Sequence, residues 1–247
     1  MAGLTRILCL HGGGLDARQW RGLRERLPEF DLLTPDLPGH GTRRDERLTL
    51  EGALHTALDA LVEQPAHVVG HSMGGALALA LARRHPAQVQ SLLVSGTVGP
   101  LSPGQARLMT WAARLPLPPG PALTLALRQF RIPAAEQSWV REALAPSLAP
   151  TWQADLVRLM VSLAPPEPSP VRTLVLVGGR ETRPARTGAA RLARQVQATP
   201  AWLVPDVGHV WNLEAPDLFA RVVRAWVGDE ALPDELRPLR SAGRLRP

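Results

Sequence analysis

The sequence has no lysine, no tyrosine, a single cysteine and no long apolar run. The single cysteine, Cys9, excludes a disulfide within the chain, and its place in a short apolar run is typical of a small buried side chain. No cysteine and histidine residues stand at the spacing of metal ligands, so we expect no metal or other cofactor. No apolar run approaches the roughly 18 residues of a membrane span, and no signal peptide is recognisable. These absences predict a cytoplasmic protein that does not insert into a membrane.

Positive charge exceeds negative charge in this chain, and it comes from arginine alone. The formal net charge is +6, spread along the whole sequence. No dense basic tract is interleaved with aromatic residues, so the distribution does not favour binding to nucleic acid. A length of 247 residues is enough for one α/β domain with a full hydrophobic core.

The segment 68–76 (Val-Val-Gly-His-Ser-Met-Gly-Gly-Ala) joins an apolar run to an alanine- and leucine-rich stretch of helical character. It contains the pattern G-x-S-x-G, centred on Ser72. In a tight strand-to-helix turn this pattern strains the serine backbone and exposes the hydroxyl above the sheet edge. The N-terminus of the new helix directs free N–H groups at the same place, where an oxyanion can be received. Ser72 is therefore a candidate nucleophile, and an ordinary glycine-rich turn is the alternative.

Strand and helix patterns alternate before residue 99 and after residue 170. Strands are predicted at 6–10, 32–34, 66–69, 89–95, 171–177 and 201–204, and helices at 16–27, 48–62, 73–84, 184–197 and 215–227. This alternation predicts an α/β fold with a doubly wound, mostly parallel sheet. Reactive groups of such a sheet gather at the carboxyl ends of its strands.

The stretch 99–170 differs because prolines cluster between helical segments, which are predicted at 105–115, 122–130, 134–144 and 152–163. We expect a helical cap inserted between core strands, one that walls a pocket. The core would then comprise 1–98 and 171–228. The segment 229–247 mixes proline, arginine and acidic residues without periodicity, which predicts a disordered tail.

Two further segments end predicted strands near the serine turn. The segment 11–14 (His-Gly-Gly-Gly) follows the first strand, and beside Ser72 the N–H of Gly13 would be an oxyanion donor, with Gly14 as second choice. The other donor would be the N–H of Met73, the residue after the serine. A plain flexible turn is the alternative for the glycine segment. In the turn 35–41 we expect Asp36 to accept backbone N–H groups and His40 to be structural.

Glu181 and His209 each follow a predicted strand, so the chain order is serine, acid, histidine, the order of α/β-hydrolases. The chain resembles the α/β-hydrolase superfamily, in the group that carries a helical cap. The resemblance covers about residues 4–228 and rests on the segments 11–14 with Trp20, 36–41, 70–75, 178–181, 208–209 and 214–216. It implies Ser72 as nucleophile, His209 as general base and acid, and a carboxylate three residues after Gly178.

The acid departs from the usual pattern, because the family has aspartate where this chain has Glu181. The superfamily's alternative acid position follows the preceding strand, in 96–99 (Gly-Thr-Val-Gly), where there is no carboxylate. Asp206 is interpreted as structural. Glu181 is therefore the predicted acid, against a dyad without one. His71 is expected to point away from the site and to support the serine turn.

The resemblance implies a carboxylesterase or thioesterase that acts on a small or medium, largely apolar acyl ester without a cofactor. Its partner would be a small-molecule substrate, and the chain would be a monomer or homodimer. Carbon–carbon bond hydrolases, enol-lactonases, the lyase of menaquinone synthesis and cofactor-free perhydrolases share these motifs and stay open as alternatives. So does a ligand-binding protein that keeps the hydrolase scaffold, since fold does not dictate function.

Overall fold

A computed structural model describes residues 4–62, 64–97, 99–112, 118–198 and 200–239. Within them, one sheet has the strand order β2-β1-β3-β4-β5-β6-β7. The strands are β1 (Arg6–Leu10), β2 (Asp31–Leu33), β3 (Ala66–His71), β4 (Val89–Ser95), β5 (Thr173–Gly178), β6 (Trp202–Val204) and β7 (Arg237–Pro238). The neighbouring pairs run parallel except for β6 and β7. The predicted α/β fold with a doubly wound, mostly parallel sheet is confirmed.

The central strands are apolar on both sides because helices cover both faces of the sheet. In β1, Leu8 and Leu10 pack into one apolar cluster, whereas Ile7 and Cys9 pack into a second cluster on the opposite face. Successive side chains of a strand point to opposite faces, so burial on both faces requires a continuous apolar run. Cys9 is fully buried and free, as its place in such a run predicts.

Helices connect the strands and cover the sheet. They are α1 (Arg21–Arg26), α2 (Leu50–Leu61), α3 (Met73–Arg84), α4 (Pro103–Ala112), α5 (Pro119–Gln129), α6 (Gln137–Leu144), α7 (Pro150–Ser162), α8 (Arg183–Gln195), α9 (Trp211–Glu214) and α10 (Pro216–Val227). The predicted helix at 16–27 divides into a 3₁₀ turn, Ala17–Trp20, and α1, and the side chain of Asp16 caps the turn. Of the predicted helix at 105–115, residues 113–115 lie outside the described residues. No described helix has both the length and the apolar character to cross a bilayer.

The helices α4 to α7 lie between β4 and β5 in the chain. Buried residues of α5 and α6 form a third apolar cluster with Leu15 and Val210, which belong to loops after β1 and β6. Trp152 of α7 donates a hydrogen bond to the carbonyl oxygen of Gly39, at 3.0 Å. The inserted helices therefore pack on loops at the carboxyl edge of the sheet, where the candidate site residues are found.

The tail requires a correction, because residues 229–239 are not disordered. Arg237 pairs with Leu203 as β7 adds antiparallel to β6, and Leu236 is buried in the apolar cluster that contains Ile7. The open edge of β6 offers unpaired backbone groups, and a two-residue strand that uses them has no detectable periodicity. Residues 240–247 lie outside the described residues.

Candidate active site

Ser72 stands alone between β3 and α3. Its backbone has φ 53° and ψ −116°, a strained conformation for a residue with a side chain. Its N–H donates to the carbonyl oxygen of Ser95 at the end of β4, at 2.8 Å. A Cβ atom on Gly74 would lie 2.1 Å from the carbonyl oxygen of Leu10, so the close approach of α3 to β1 requires glycine there. The serine turn therefore has the geometry that the sequence pattern predicts.

Glu181 and His209 meet at the carboxyl ends of β5 and β6. Nδ1 of His209 lies 2.8 Å from Oε2 of Glu181, and the other carboxylate oxygen accepts the N–H of Gly178 at 3.1 Å. The Glu181 side chain is 7% exposed and that of His209 is 23% exposed. A carboxylate can only accept, so the neutral ring donates from Nδ1 and leaves Nε2 free to accept a proton.

The longer glutamate fits because its side chain folds back over its own turn. The N–H of Glu181 donates to the carbonyl oxygen of Gly178, while the carboxylate accepts the N–H of the same glycine. At the end of β4, the alternative position for the acid, the chain has Gly96, which carries no side chain. Gly96 has φ +61°, and a Cβ atom there would lie 2.9 Å from Cε1 and Nδ1 of the His209 ring.

Ser72 and His209 line the same cavity, whose volume is about 60 Å³. Its other walls are mainly apolar, formed by Leu15, Phe130, Ile132, Val140, Leu144 and Val210, with Gly12, Gly13 and His71. The structure thus places Glu181 within hydrogen-bond distance of His209, and it places Ser72 and His209 in the lining of one cavity. No hydrogen bond between Ser72 Oγ and the ring of His209 is found among the described residues. Such contacts are often long before substrate binds, and rotation about one side-chain bond sets the hydroxyl position.

The loop after β1 has one glycine N–H with no protein acceptor in the described part of the chain. Gly12 donates to Oε1 of Gln19 at 3.0 Å, and Gly14 donates to Nε2 of His40 at 3.0 Å. A Cβ atom on Gly13 would lie 3.7 Å from Cβ of Met73, so this glycine packs beside the start of α3. The geometry therefore favours Gly13 over Gly14 as an oxyanion donor.

His40 is structural, as the sequence predicts. Its Nδ1 donates to the carbonyl oxygen of Pro38 at 2.9 Å, while Nε2 accepts the N–H of Gly14. Burial, and then the charge of nearby His11, lowers the pKa of His40 to about 3. The ring therefore stays neutral and holds the glycine loop. Asp36 accepts backbone N–H groups as predicted, but the donors are Thr42, directly after the turn 35–41, and Ala17 at the start of the 3₁₀ turn.

His71 requires a correction, because it does not point away from the site. Its ring centroid lies 4.8 Å from that of His209, and its Nε2 donates to the carbonyl oxygen of His209 at 2.9 Å. Its Nδ1 is buried without a partner among the described residues. Burial, and then the charge of His209, lowers the pKa of His71 to about 3, so the ring is neutral. His71 supports the loop of His209 as well as the serine turn.

Sequence reasoning missed a buried amide pair. Nε2 of Gln19 donates to Oδ1 of Asn212 at 3.1 Å, and Nδ2 of Asn212 donates to the backbone carbonyl oxygen of Gln19 at 2.9 Å. Gln19 also accepts the N–H of Gly12, so the pair connects the glycine loop to the loop of His209. Because the two residues are 193 positions apart and neither belongs to a motif, no pattern in the sequence indicates the contact.

The buried histidines predict a loss of stability in mild acid. Their pKa in the unfolded chain is near the ordinary 6.5, whereas the pKa of both His40 and His71 is about 3 in the fold. Unfolding therefore takes up protons around and below pH 6.5, and the free energy of unfolding should fall with a slope that approaches about 1.4 kcal/mol per pH unit for each histidine near pH 5. Denaturant titrations between pH 7 and 5 would measure the slope. We expect His40→Asn to reduce it and the exposed His55→Asn to leave it unchanged; a flat profile in the unaltered protein would contradict the prediction.

Known proteins share both the sequence pattern and the fold of this chain. The sequence profile of the alpha/beta hydrolase family matches residues 7–222. An AB hydrolase superfamily protein of Gibberella zeae is 32% identical, with 92% of this chain and 82% of that protein covered. A pimeloyl-[acyl-carrier protein] methyl ester esterase of Aromatoleum aromaticum is 42% identical over a shorter match, which covers 37% of this chain and 36% of the esterase.

A solved structure shows the same architecture over nearly the whole chain. A thermophilic esterase from Thermogutta terrifontis superposes with a TM-score of 0.77 at 25% identity, and the match covers 92% of this chain and 90% of the esterase. The profile, the relative and the solved structure each match most of this chain. The chain belongs to the alpha/beta hydrolase family, and it is a hydrolase.

Proposed function

We propose that this hydrolase is a serine esterase that cleaves esters of short, uncharged acyl groups. The observation that carries the proposal is the 2.8 Å contact between His209 and Glu181, made at the cavity that Ser72 also lines. A histidine held by a carboxylate beside a serine in a strained strand-to-helix turn is the arrangement that activates a hydroxyl for acyl transfer. The esterases among the similar proteins agree with this chemistry.

The reaction follows from the placement of these groups. Nε2 of His209 takes the proton of Ser72 as Oγ attacks the carbonyl carbon of the ester. The N–H groups of Met73 and Gly13 receive the oxyanion of the tetrahedral intermediate. His209 then protonates the leaving alkoxide, and a water molecule, activated by the same ring, releases the acid from the serine. Glu181 holds the Nδ1 proton throughout and stabilises the imidazolium form.

The cavity limits the acyl group of the substrate. Its volume of about 60 Å³ is small, which favours a short acyl group such as acetyl or butyryl over an octanoyl group. Apart from the two histidines, the lining side chains carry no ionisable group. A charged acyl group would lose its hydration there without gaining a partner, so an uncharged acyl group is favoured.

We expect kcat/KM for p-nitrophenyl acetate and butyrate to exceed that for the octanoate by at least about tenfold, which is about 1.4 kcal/mol of transition-state stabilisation. Steady-state hydrolysis of the three esters measures this preference. Labelling by a fluorophosphonate provides an independent test of the serine, because it does not depend on the substrate chosen.

The two measurements separate the possible failures. Preference for the octanoate would contradict the proposed specificity for short acyl groups but not the proposed esterase activity. Labelling without hydrolysis of any ester would favour a carbon–carbon bond hydrolase, a lactonase or a lyase. Neither labelling nor hydrolysis would favour the ligand-binding alternative.

A further inference from the structure

The end of α5 has an arginine in a backbone conformation that favours glycine. Ile132 donates to the carbonyl oxygen of Leu127 at 2.9 Å, and Arg131 donates to that of Arg128 at 3.1 Å, so the helix closes in a left-handed turn. Arg131 is the left-handed residue, with φ +55°. Glycine is common at this place because a Cβ atom is strained there. The backbone conformation therefore does not explain why an arginine stands at this position. The contacts of the Arg131 side chain explain it.

The Arg131 side chain reaches the residue before His209. Its Nε donates to Oε2 of Glu214 at 2.9 Å, and Oε1 of Glu214 accepts the N–H of Gly208 at 2.7 Å. A Cβ atom on Gly208 would lie 2.9 Å from Cδ of Arg131. The Glu214 side chain is 11% exposed. One carboxylate thus joins a turn of the inserted helices to the backbone of the histidine loop.

The neighbours of Arg131 contact the site itself. The ring of Phe130 lies 5.5 Å from the ring of His209, with 32° between the two planes. The ring of His71 lies 4.8 Å from His209, and Phe130 and Ile132 both line the cavity. The ring of His209 is therefore packed by an aromatic side chain that the inserted helices supply, beside the histidine of the serine turn.

We propose that Arg131 and Glu214 are positioning residues for His209. Their ion pair fastens the turn 130–132 to the histidine loop, which keeps Phe130 against the ring and Nε2 directed at the cavity. Without the pair the ring would adopt more orientations, and fewer of them would accept the proton of Ser72. The loss would therefore fall on kcat rather than on KM. This inference rests on the proposed function, since it concerns the same reaction.

The chain offers a matched control for the backbone effect. Gln197 ends α8 in the same way, with φ +56° and a hydrogen bond of 2.8 Å from Ala198 to the carbonyl oxygen of Ala193. It precedes β6 at the edge of the sheet opposite to the site. Arg131→Gly and Gln197→Gly both remove a strained side chain, and Gln197→Gly should keep or raise the melting temperature. Arg131→Gly also leaves the carboxylate of Glu214, which is 11% exposed, without its ion pair, so its melting temperature should be lower than that of Gln197→Gly. Of the two, only Arg131→Gly removes a contact to the histidine loop.

We expect Arg131→Gly to lower kcat for p-nitrophenyl acetate and the rate of fluorophosphonate labelling by about tenfold, at unchanged KM. Gln197→Gly should leave both rates unchanged. Glu214→Gln, which keeps an oxygen for Gly208, should produce a similar loss, and the double variant should lose no more than the larger single loss. Arg131→Lys should recover part of the rate, because it restores the charge without the guanidinium geometry.

Three results would overturn the inference. The first is an Arg131→Gly protein with unaltered kcat and labelling rate. The second is an equal loss in Gln197→Gly, which would assign the effect to the helix end. The third is a loss that falls on KM rather than on kcat. An unaltered protein that neither hydrolyses esters nor reacts with the fluorophosphonate would instead refute the proposed function, and this inference with it.

Discussion

Replacing Ser72 with alanine is expected to lower kcat for p-nitrophenyl acetate by a factor of about 10⁴ or more. The variant lacks the nucleophile, so only binding and the oxyanion donors remain to accelerate direct attack by water. Because alanine occupies less space than serine in the same turn, the fold should persist. Steady-state hydrolysis measures the effect, and the fluorophosphonate should no longer label the protein.

Ser91→Ala is a suitable control for that experiment. Ser91 is also buried, and its side chain contacts His67 on the neighbouring strand rather than the cavity. Its removal should leave both hydrolysis and labelling unchanged. Activity that survives in Ser72→Ala would refute the nucleophile and the proposed mechanism together.

Glu181→Gln should lower kcat by a factor of about 10³ to 10⁴ with little change in KM. The N–H of Gly178 needs an acceptor, and the glutamine oxygen takes the place of the carboxylate oxygen that serves it now. The amide nitrogen then faces Nδ1 of His209, where it can only donate. The ring must accept at Nδ1 and carry its proton on Nε2, the atom that should receive the proton of Ser72. The substitution therefore traps the wrong tautomer while it preserves shape.

Asp206→Asn tests whether any acid near the histidine has the same effect. Asp206 lies three residues before His209, and its side chain is 86% exposed. We expect less than about a twofold change in kcat, because a screened surface charge interacts weakly with the ring. A loss below tenfold in Glu181→Gln would favour a serine–histidine dyad that needs no acid.

Structural features that depend on short, contiguous stretches of sequence were predictable. The bounds of α3 and β4 agree with those predicted, because the apolar residues of both elements are regularly spaced. Ser72 marks the start of α3, and Pro86 lies between the end of α3 and the start of β4. The serine turn follows from its glycines, since no other residue fits where α3 passes β1. The placement of Glu181 and His209 at one sheet edge follows from the rule for parallel strands.

Features that depend on distant side chains were not predictable. Which of Gly13 and Gly14 has a free N–H, among the residues that the structure describes, depends on His40, because the ring of His40, from another turn, accepts the N–H of Gly14. The orientation of His71 depends on a carbonyl group 138 positions away. Contacts of this kind have no local signature, because any polar residue at the right place in space would satisfy them. Patterns of periodicity and capping report on neighbours in the chain only.

The left-handed Gly96 beside the ring of His209 constrains the evolution of this enzyme. To move the acid to the end of β4, as in some relatives, this chain would first have to gain a carboxylate near residue 96 by mutation. A side chain at Gly96 itself would overlap the imidazole, so the first mutational step would displace the histidine before the new acid could serve it. Selection for activity would remove that intermediate. A laboratory lineage that places the new acid at residue 96 would therefore have to remodel the loop of His209 first.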